Sequence, residues 1–396
     1  MNYNFSKRFE AVKPQAIRDV LARIHGDTAI NFSPGFPDNR SFPVEAIQKI
    51  SKEILEERPY ELLQYAGSPT YPPLVKAASE FFNSTENIFN EGDDMMITSG
   101  SGEGLNIASK VFLDDGDVIV CEDPTFMGAT NGFLGNNIKL LGVPLESDGL
   151  NLELLEKAFN TIPKPKMLYI IPTFQNPTCI TTSLEKRKAI YDLCVKYNIM
   201  ILEDNPYGYL RFKGETIPTL KSMDTEGIVI YCASLSKIIS PGMRVGTVTA
   251  KKEIIDKFRI LKSGADGSTT WWSQSVIARF LEQTDMVKHV EMVKNIYKEK
   301  STLMIEEMKK NFHPSVTFNA PDGGMFIWFT LPKEVSLDDF IEAAVAENIA
   351  VVPGTGFTVN SDTYCNSVRL SFTSASNEQI KEGIAKLGKI TYEMCS

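Results

Sequence analysis

The middle of the chain alternates short, almost uninterrupted apolar runs with segments of helical periodicity. The apolar runs are candidate strands, at residues 94–98, 118–122, 139–143, 167–172, 199–203, 228–233 and 245–249. Their apolar residues are continuous rather than alternating, which is typical of strands buried on both faces. Between them, residues 103–112 and 184–197 have the period of a helix. This alternation predicts an α/β fold, with a mostly parallel sheet lying between helices in a three-layer domain.

The two ends of the chain follow a different pattern. Residues 43–57 carry an apolar stripe at helical spacing, and residues 285–312 predict a long helix. Further elements are predicted beyond it: strands at 325–330, 349–352 and 368–372, a helix capped at Ser336 with Asp339, and a last helix at Ser376, whose spacing to Gln379 is that of a capping box. We therefore predict a large α/β domain at residues 46–284 and a small α+β domain formed by residues 1–45 and 285–396.

Composition excludes several classes of protein. With 41 Lys and Arg against 50 Asp and Glu, the 396-residue chain has a net charge of −9 and no basic run, which argues against a nucleic-acid partner. An uncharged apolar stretch of about 18–20 residues, which a membrane span needs, is lacking. The first ten residues lack the apolar segment of a secretion signal, and the 6 cysteines form no Cys-x-x-Cys pair. These features predict a cytoplasmic protein with reduced thiols, and its 3 scattered histidines predict no metal site.

A glycine-rich turn follows the first strand of the alternating region. Residues 99–105 read Ser-Gly-Ser-Gly-Glu-Gly-Leu and open a helix. Free backbone N–H groups and the helix dipole make such a turn suitable for phosphate, although glycine-rich turns also serve close packing. Its spacing matches neither a Walker loop nor a dinucleotide-binding fingerprint.

Polar residues follow several of the other predicted strands. Asn176 precedes a proline, which holds its backbone extended. This position is explained either by a simple turn or by an amide side chain that is directed into a cavity. Asp204 ends a buried strand, where it either finds a cationic partner or caps the next helix. Lys237 stands among apolar and hydroxyl residues, and a desolvated lysine loses its proton readily, which suits Schiff-base chemistry. Arg244 can add a fixed positive charge for an anion.

These strand-end residues together fit one cofactor. Because ligands gather beyond the carboxyl ends of parallel strands, we expect the turn and the four side chains to lie close together. Pyridoxal phosphate needs an amine for its aldehyde, a carboxylate for its ring nitrogen and donors for its phenolic oxygen. Its phosphate needs N–H, hydroxyl and arginine groups. The sequence therefore predicts a pyridoxal phosphate site at this edge of the sheet.

With these residues the sequence resembles the fold-type-I aminotransferases of class I/II. It is most similar to the branch that holds kynurenine/2-aminoadipate aminotransferases and the aminotransferase domains of MocR-type regulators. The resemblance covers nearly the whole chain and rests on motifs that occur in family order, at residues 31–38, 63–65, 98–101, 123–126, 176–178, 203–207, 234–237, 323–326, 352–354 and 368–371. One departure is that Ser101-Gly102-Glu103 stands where the branch commonly has Ser-Gln-Gln, so a side-chain contact to the phosphate is lost.

The resemblance implies a role for each matching residue. Lys237 would form the Schiff base and transfer protons, and Asp204 would pair with the pyridine nitrogen. The other cofactor contacts would be Asn176 and Tyr207 to the phenolic oxygen, Phe126 to the ring face, and Ser101, Gly102, Ser234, Ser236 and Arg244 to the phosphate, with Tyr65 reaching the phosphate of a neighbouring subunit. A homodimer with shared active sites would follow.

The resemblance also implies how substrate is held. Arg369 would clamp the α-carboxylate, together with Asn176 and the backbone near Gly35. Arg18 lies where this branch places an arginine near the substrate side chain, although a solvated arginine on a helix face explains it equally well.

The implied activity is that of a pyridoxal-phosphate-dependent aminotransferase. It would move the amino group of an L-amino acid to a 2-oxo acid, expected to be 2-oxoglutarate, in a ping-pong reaction through Lys237. A C–S or β-lyase on the same fold, or a non-catalytic MocR-like sensor domain, is the alternative. The sensor is disfavoured because the α/β pattern begins too early for an N-terminal DNA-binding segment. A nicotinamide dehydrogenase is disfavoured because the Gly-x-Gly-x-x-Gly fingerprint is missing after the first strand.

Overall fold

The core of the molecule is a twisted sheet of eight strands. The computed structural model describes residues 3–12, 20–26, 29–360 and 362–395. The strands of this sheet are β2 (Asp93–Thr98), β3 (Val118–Asp123), β4 (Lys139–Glu146), β5 (Gly149–Leu150), β6 (Met167–Ile170), β7 (Met200–Asn205), β8 (Val229–Ser234) and β9 (Gly246–Lys251). Each predicted strand is present to within a few residues, and the short strand β5 is an addition to the prediction.

The strand order places the ends of distant segments side by side. The order is β2-β9-β8-β7-β6-β3-β4-β5, in which the pairs β8/β7, β7/β6, β6/β3 and β3/β4 are parallel. Strand β9 runs antiparallel to both β8 and β2. Every residue of β3 and β8 is buried, as expected for strands covered by helices on both faces. The prediction of a mostly parallel sheet is confirmed.

Helices cover both faces of this sheet and the ends of the chain. They are α1 (Val44–Glu57), α2 (Pro59–Leu63), α3 (Pro72–Glu86), α4 (Ser101–Phe112), α5 (Met127–Gly135), α6 (Leu152–Phe159), α7 (Leu184–Tyr197), α8 (Lys252–Ala265), α9 (Trp271–Gln283), α10 (Met286–Asn311), α11 (Leu337–Ala346) and α12 (Asn377–Met394). The predicted capping box is confirmed, because the N–H of Gln379 donates to Ser376 Oγ at 3.2 Å and that of Ser376 to Gln379 Oε1 at 2.9 Å. In the described part of the chain, no helix is long and apolar enough to cross a membrane.

A second, antiparallel sheet follows the long helix α10. It has the order β10-β11-β14-β13, formed by β10 (Thr317–Phe318), β11 (Phe326–Thr330), β13 (Val352–Pro353) and β14 (Ser367–Ser371). The prediction of one strand at 349–352 is wrong. The chain there forms two short strands, β12 (Ile349–Ala350) and β13, with different partners on either side of Val351. Strand β12 pairs in parallel with β1 (Ile30–Asn31), whereas β13 pairs with β14.

The pairing of β1 with β12 joins residues near the two ends of the chain. Residue Ile30 lies opposite Ile349, so the N-terminal segment and the C-terminal segment meet in one small sheet. Helix α1 packs against α9 and begins at Val44, so the predicted boundary between residues 45 and 46 falls in its first turn. The division into domains at 45/46 and 284/285 stays a prediction.

Candidate active site

The carboxyl ends of several strands of the large sheet meet around one cavity. Turns after β2, β6 and β8, the end of β7 and the start of the antiparallel strand β9 lie on this edge. The cavity has a volume of about 450 Å³. Nearly all of the residues predicted from the sequence line it: Gly35, Ser101, Gly102, Phe126, Asn176, Asp204, Tyr207, Ser234, Ser236, Lys237, Arg244 and Arg369.

Lys237 lies in a tight turn directly after β8. Ser234 holds this turn, since its Oγ accepts the N–H of Ser236 at 3.2 Å. The Lys237 amine donates to the carbonyl oxygen of Gly35 at 2.9 Å, across the cavity. Burial, with the neighbouring charges of Arg244 and Arg369, lowers the pKa of Lys237 to about 8. About one-tenth of this amine is therefore neutral and nucleophilic at pH 7, far more than for an exposed lysine.

Asp204 is the buried carboxyl group at the end of β7. One oxygen, Oδ2, accepts the hydroxyl of Tyr169 at 3.1 Å. The other, Oδ1, is buried and has no hydrogen-bond partner among the described residues. Burial raises the pKa of Asp204 to about 7, and the Tyr169 hydroxyl opposes this rise. A carboxylate in this position needs a cationic partner from within the cavity.

The turn between β2 and α4 forms a concave cradle beside Arg244. Gly100 has φ of +89°, and a Cβ at this position would lie 2.4 Å from the Arg244 guanidinium. Arg244 Nη2 donates to the carbonyl oxygen of Ser99 at 3.0 Å. Ser236 Oγ is buried and makes no hydrogen bond within the described structure. Arginine, hydroxyl groups and the N-terminus of α4 together suit an anion such as phosphate.

Arg369 projects from β14 into the opposite side of the cavity. Its Nη1 donates to Asn176 Oδ1 at 2.8 Å and its Nη2 to the carbonyl oxygen of Ser33 at 2.6 Å. Its guanidinium lies 4.2 Å from the ring centre of Phe326 and 4.9 Å from that of Phe357. Burial lowers the pKa of Arg369 to about 10, so it remains a cation at neutral pH.

Asn176 connects Arg369 with Tyr207. Its Nδ2 donates to the Tyr207 hydroxyl at 3.4 Å, while its Oδ1 accepts from Arg369. Burial raises the pKa of Tyr207, so the phenol stays protonated and can donate a hydrogen bond. The backbone before Asn176 is held by Gln175, whose Nε2 donates to the carbonyl oxygen of Pro124 at 2.7 Å and to Glu122 at 3.3 Å.

Tyr65 and Arg18 are the predicted residues that remain. Tyr65 does not line it, and 96% of its side chain is exposed. Arg18 lies outside the described residues.

Other residues belong to the site although the sequence analysis assigned them no role. These are Tyr169 under Asp204, Glu122 behind Gln175, and the aromatic rings of Phe326 and Phe357 on Arg369. The only signal for Tyr169 is its position in the strand that precedes Asn176, which says nothing about its partner.

Comparison with known proteins agrees with this geometry. The family model described as aminotransferase class I and II matches residues 27–387. The aromatic-amino-acid aminotransferase 1 of Thermococcus litoralis is 35% identical over 98% of this chain and 94% of its own length. The 2-aminoadipate transaminase of Thermus thermophilus is 32% identical over 97% of this chain and 96% of its own length. The chain belongs to the class I and II aminotransferases.

The fold of this aminotransferase is also that of a solved relative. The Pyrococcus horikoshii kynurenine aminotransferase, solved with pyridoxamine phosphate, superposes with a TM-score of 0.94 at 32% identity and covers 99% of this chain and 98% of that one. The predictions of a fold-type-I aminotransferase and of pyridoxal phosphate as its cofactor are confirmed.

The residues of the cavity fit this cofactor. Asp204 Oδ1, Ser236 Oγ and Arg369 Nε are buried polar atoms on cavity-lining residues that lack hydrogen-bond partners in the described structure. A ring nitrogen, a phosphate and a carboxylate are the groups that such atoms require. No cluster of His, Cys, Asp or Glu suited to a metal ion occurs among the residues that the structure describes.

Proposed function

We propose that this aminotransferase moves the amino group of an aromatic L-amino acid to 2-oxoglutarate in a ping-pong reaction through Lys237. The observation that carries this proposal is the presence, in one cavity, of the Lys237 amine of lowered pKa, the unpartnered Asp204 oxygen and the Arg369 guanidinium. These are the base, the electrostatic anchor and the substrate clamp that removal of an α-proton requires.

We assign the cofactor contacts as the sequence predicts. Ser101, Gly102, Ser234, Ser236 and Arg244 hold the phosphate, Asn176 and Tyr207 the phenolic oxygen, Phe126 a ring face and Asp204 the ring nitrogen. A Cβ at Gly102 would meet nothing within 4 Å, so space for the phosphate remains open above the first turn of α4. When bound, pyridoxal phosphate supplies an aldehyde that condenses with amines and a ring that accepts electrons from the α-carbon.

The protein's own groups then direct proton movement. Arg369 binds the α-carboxylate through two parallel N–H groups, which fixes the α-carbon near Lys237. The Lys237 amine would act as the base that removes the α-proton of the substrate and as the acid that gives a proton back. The Asp204 carboxylate would stabilise a protonated ring nitrogen, and the Tyr169 hydroxyl holds that carboxylate in place.

Aromatic side chains in the cavity support the substrate class. Phe36, Phe126, Phe326 and Phe357 all line it. Such rings favour aromatic over small aliphatic substrates because they add stacked or edge contacts to the burial of apolar area. The relative from Thermococcus litoralis is itself an aromatic-amino-acid aminotransferase. Arg18 remains the candidate for contact with an acidic side chain, such as that of 2-oxoglutarate.

We further propose a homodimer with shared sites in the cytoplasm. The segment that contains α2 exposes Tyr60, Leu63 and Tyr65, each more than three-quarters exposed in the isolated chain. Tyr65 completes the phosphate site of a neighbouring subunit in this proposal. The 6 unpaired cysteines are consistent with a reducing compartment.

A panel of amino donors tests the activity. With 2-oxoglutarate as acceptor, we expect phenylalanine and tyrosine to give a higher kcat/KM than alanine, with one glutamate formed for each oxo acid. Equal or lower values for the aromatic donors would contradict the substrate class. Pyruvate and ammonia formed from a β-substituted amino acid, without glutamate, would show the lyase alternative instead.

Replacement of the lysine tests the mechanism. We expect Lys237→Ala to lose multiple-turnover transamination by about 10⁴-fold, because it removes the base that we assign to the α-proton. Borohydride reduction of the wild-type holoenzyme should label Lys237, as shown by peptide mass spectrometry. Lys257→Ala, which removes an exposed lysine on α8, is the control and should leave both unchanged. Sustained turnover by Lys237→Ala would contradict the mechanism.

A further inference from the structure

A charge cluster centred on one buried lysine lies behind the cradle that we assign to the cofactor phosphate. It consists of Glu103 on α4, Lys262 on α8 and Asp266 directly after α8; we call it the Lys262 cluster. The side chain of Lys262 is 0% exposed. Its Nζ lies 2.9 and 2.8 Å from the two carboxylate oxygens of Glu103, and 3.0 and 2.8 Å from those of Asp266.

The Lys262 cluster holds Ser99, the first residue of the cradle. The N–H of Ser99 donates to Glu103 Oε2 at 2.6 Å, and its hydroxyl donates to Asp266 Oδ2 at 3.2 Å. The remaining polar atom, its carbonyl oxygen, accepts from Arg244 at 3.0 Å. Ser99 therefore connects two acidic side chains of the cluster with the arginine that faces the phosphate.

The position of Ser99 decides the geometry of the cradle. Gly100 follows it at φ of +89°, where a Cβ would lie 2.4 Å from Arg244 Nη2, so the guanidinium packs directly on this turn. Any movement of Ser99 moves the hydrogen bond that orients Arg244. It also moves the first N–H groups of α4, which begins at Ser101.

Glu103 creates an electrostatic problem that Lys262 solves. It lies in the first turn of α4, the end at which the phosphate also binds. A partly buried carboxylate beside a phosphate would repel it, since both groups are anions in a region of low dielectric. The Lys262 ammonium is within hydrogen-bond distance of both Glu103 oxygens and offsets much of this charge, although it also pairs with Asp266.

We propose that Glu103, Lys262 and Asp266 are positioning residues for the cofactor phosphate. Glu103 and Asp266 fix Ser99, and through it Arg244, while Lys262 offsets the charge of Glu103 and so weakens its repulsion of the phosphate. The proposal rests on the phosphate placement given under Proposed function. None of the three residues lines the cavity, so they act through Ser99 and Arg244 rather than by direct contact.

The test is a titration of the cofactor-free protein with pyridoxal phosphate and, separately, with pyridoxal, which lacks the phosphate. We expect Lys262→Met to weaken the binding of pyridoxal phosphate by about tenfold, because it leaves the Glu103 carboxylate unpaired beside the phosphate. Binding of pyridoxal should change by less than about twofold, since Lys262 and Glu103 act on the phosphate and not on the ring. Lys257→Met removes the same charge from an exposed position on α8 and is the matched control.

Removal of the Glu103 charge as well should restore binding. The double variant Glu103→Gln/Lys262→Met keeps a side-chain acceptor for the N–H of Ser99 and leaves only the Asp266 carboxylate, which is about one-third exposed and therefore screened by solvent. We expect its affinity for pyridoxal phosphate to return to within about threefold of the wild type. If Lys262→Met does not fold, Lys262→Gln removes the same charge and takes the place of Lys262→Met in the comparison.

The outcomes separate this inference from the phosphate placement. Arg244→Met should weaken pyridoxal phosphate and not pyridoxal; if it weakens neither, the placement is wrong and this inference falls with it. If Arg244→Met weakens the phosphorylated form but Lys262→Met behaves like Lys257→Met, the inference alone is wrong. A double variant as weak as Lys262→Met would equally contradict it, because the loss would then come from packing and not from charge.

Discussion

The Asp204 carboxyl group has two oxygens in different surroundings. Oδ2 accepts the Tyr169 hydroxyl, and Oδ1 lies in the buried wall of the cavity without a partner. Burial alone favours the neutral acid, whereas pairing with a ring nitrogen requires the carboxylate. Tyr169 is the only donor to Asp204 in the described structure, so the ionisation of Asp204 depends on a tyrosine that never touches substrate.

We expect Tyr169→Phe to shift the pH dependence of cofactor binding. Without the hydroxyl, the pKa of Asp204 rises further above its present value of about 7, by about one unit if the hydrogen bond contributes about 1.5 kcal/mol to the charged form. The carboxylate then forms only at higher pH, so affinity for pyridoxal phosphate should fall strongly at pH 6.5 and little at pH 9. Titration of the cofactor-free protein across this range measures the shift.

A surface tyrosine supplies the control for this prediction. Tyr197 donates to Glu156 at 2.9 Å, remote from the cavity, so Tyr197→Phe should leave the pH profile unchanged. An equal loss of affinity at all pH values in Tyr169→Phe would show that the hydroxyl does not act through the ionisation of Asp204.

At the scale of the elements, a short turn after β7 connects strands that are not neighbours in the sheet. The N–H groups of Leu220 and Lys221 donate to Glu203 on β7, at 3.0 and 2.8 Å. The Lys221 ammonium lies 2.9 Å from Asp93, the first residue of β2, and 3.0 Å from Asp224. All three ionic side chains are fully buried. The turn therefore fixes β2, the strand that leads into the phosphate cradle, against β7, the strand that carries Asp204.

We expect Lys221→Met to destabilise the protein strongly. It leaves the buried Asp224 without its ammonium and Asp93 with only Lys251, 3.5 Å away, a change that costs about 3–5 kcal/mol. The measurement is the apparent free energy of unfolding from urea titration of the holoenzyme. Lys213→Met breaks an exposed ion pair to Asp322 at 3.5 Å and should cost at most about 1 kcal/mol. Similar unfolding midpoints for the two variants would contradict the role of the buried pair.

At the scale of the whole molecule, the proposed homodimer implies that the isolated chain lacks one cofactor contact, that of Tyr65. Tyr65 is almost fully exposed and lies away from the cavity of its own subunit, although the other predicted cofactor residues line that cavity. A neighbouring subunit is the means by which Tyr65 would meet a phosphate. The geometry therefore predicts that Tyr65 and Lys237 of one chain serve different active sites.

Mixed dimers test this arrangement. Consider a dimer of one Tyr65→Phe chain and one Lys237→Ala chain. If each Tyr65 serves the site of the other chain, one site carries both substitutions and the other site carries neither. We then expect about half of the wild-type activity per dimer. The assay uses a cofactor concentration that saturates the wild type but not Tyr65→Phe. Such a concentration exists because loss of a hydrogen bond to a charged group costs about 1.5–3 kcal/mol of binding free energy. Differently tagged, co-expressed chains provide the mixed dimer. Activity no higher than that of a dimer with one Tyr65→Phe site would show that Tyr65 acts in its own subunit.

The amino-acid sequence by itself determined the layered α/β fold and most of the residues that line the cavity. Buried strands and amphipathic helices leave local patterns, and the carboxyl ends of parallel strands meet at one edge, so Asp204, Lys237 and Arg244 could be brought together without a structure. The strand at 349–352 was predicted wrongly because its division depends on two partners, β1 and β14, that are distant in the chain.

Only the tertiary structure decided how those residues are tuned. Tyr169 lies 35 residues from Asp204 in the chain, and Lys262 lies 159 residues from Glu103, so neither pair leaves a local pattern. Burial sets the pKa of Lys237 and of Asp204, and burial is a property of the packed molecule rather than of any segment. The identity of the chemical groups is encoded locally, whereas their charge states and orientation arise from contacts that form only when the chain is folded.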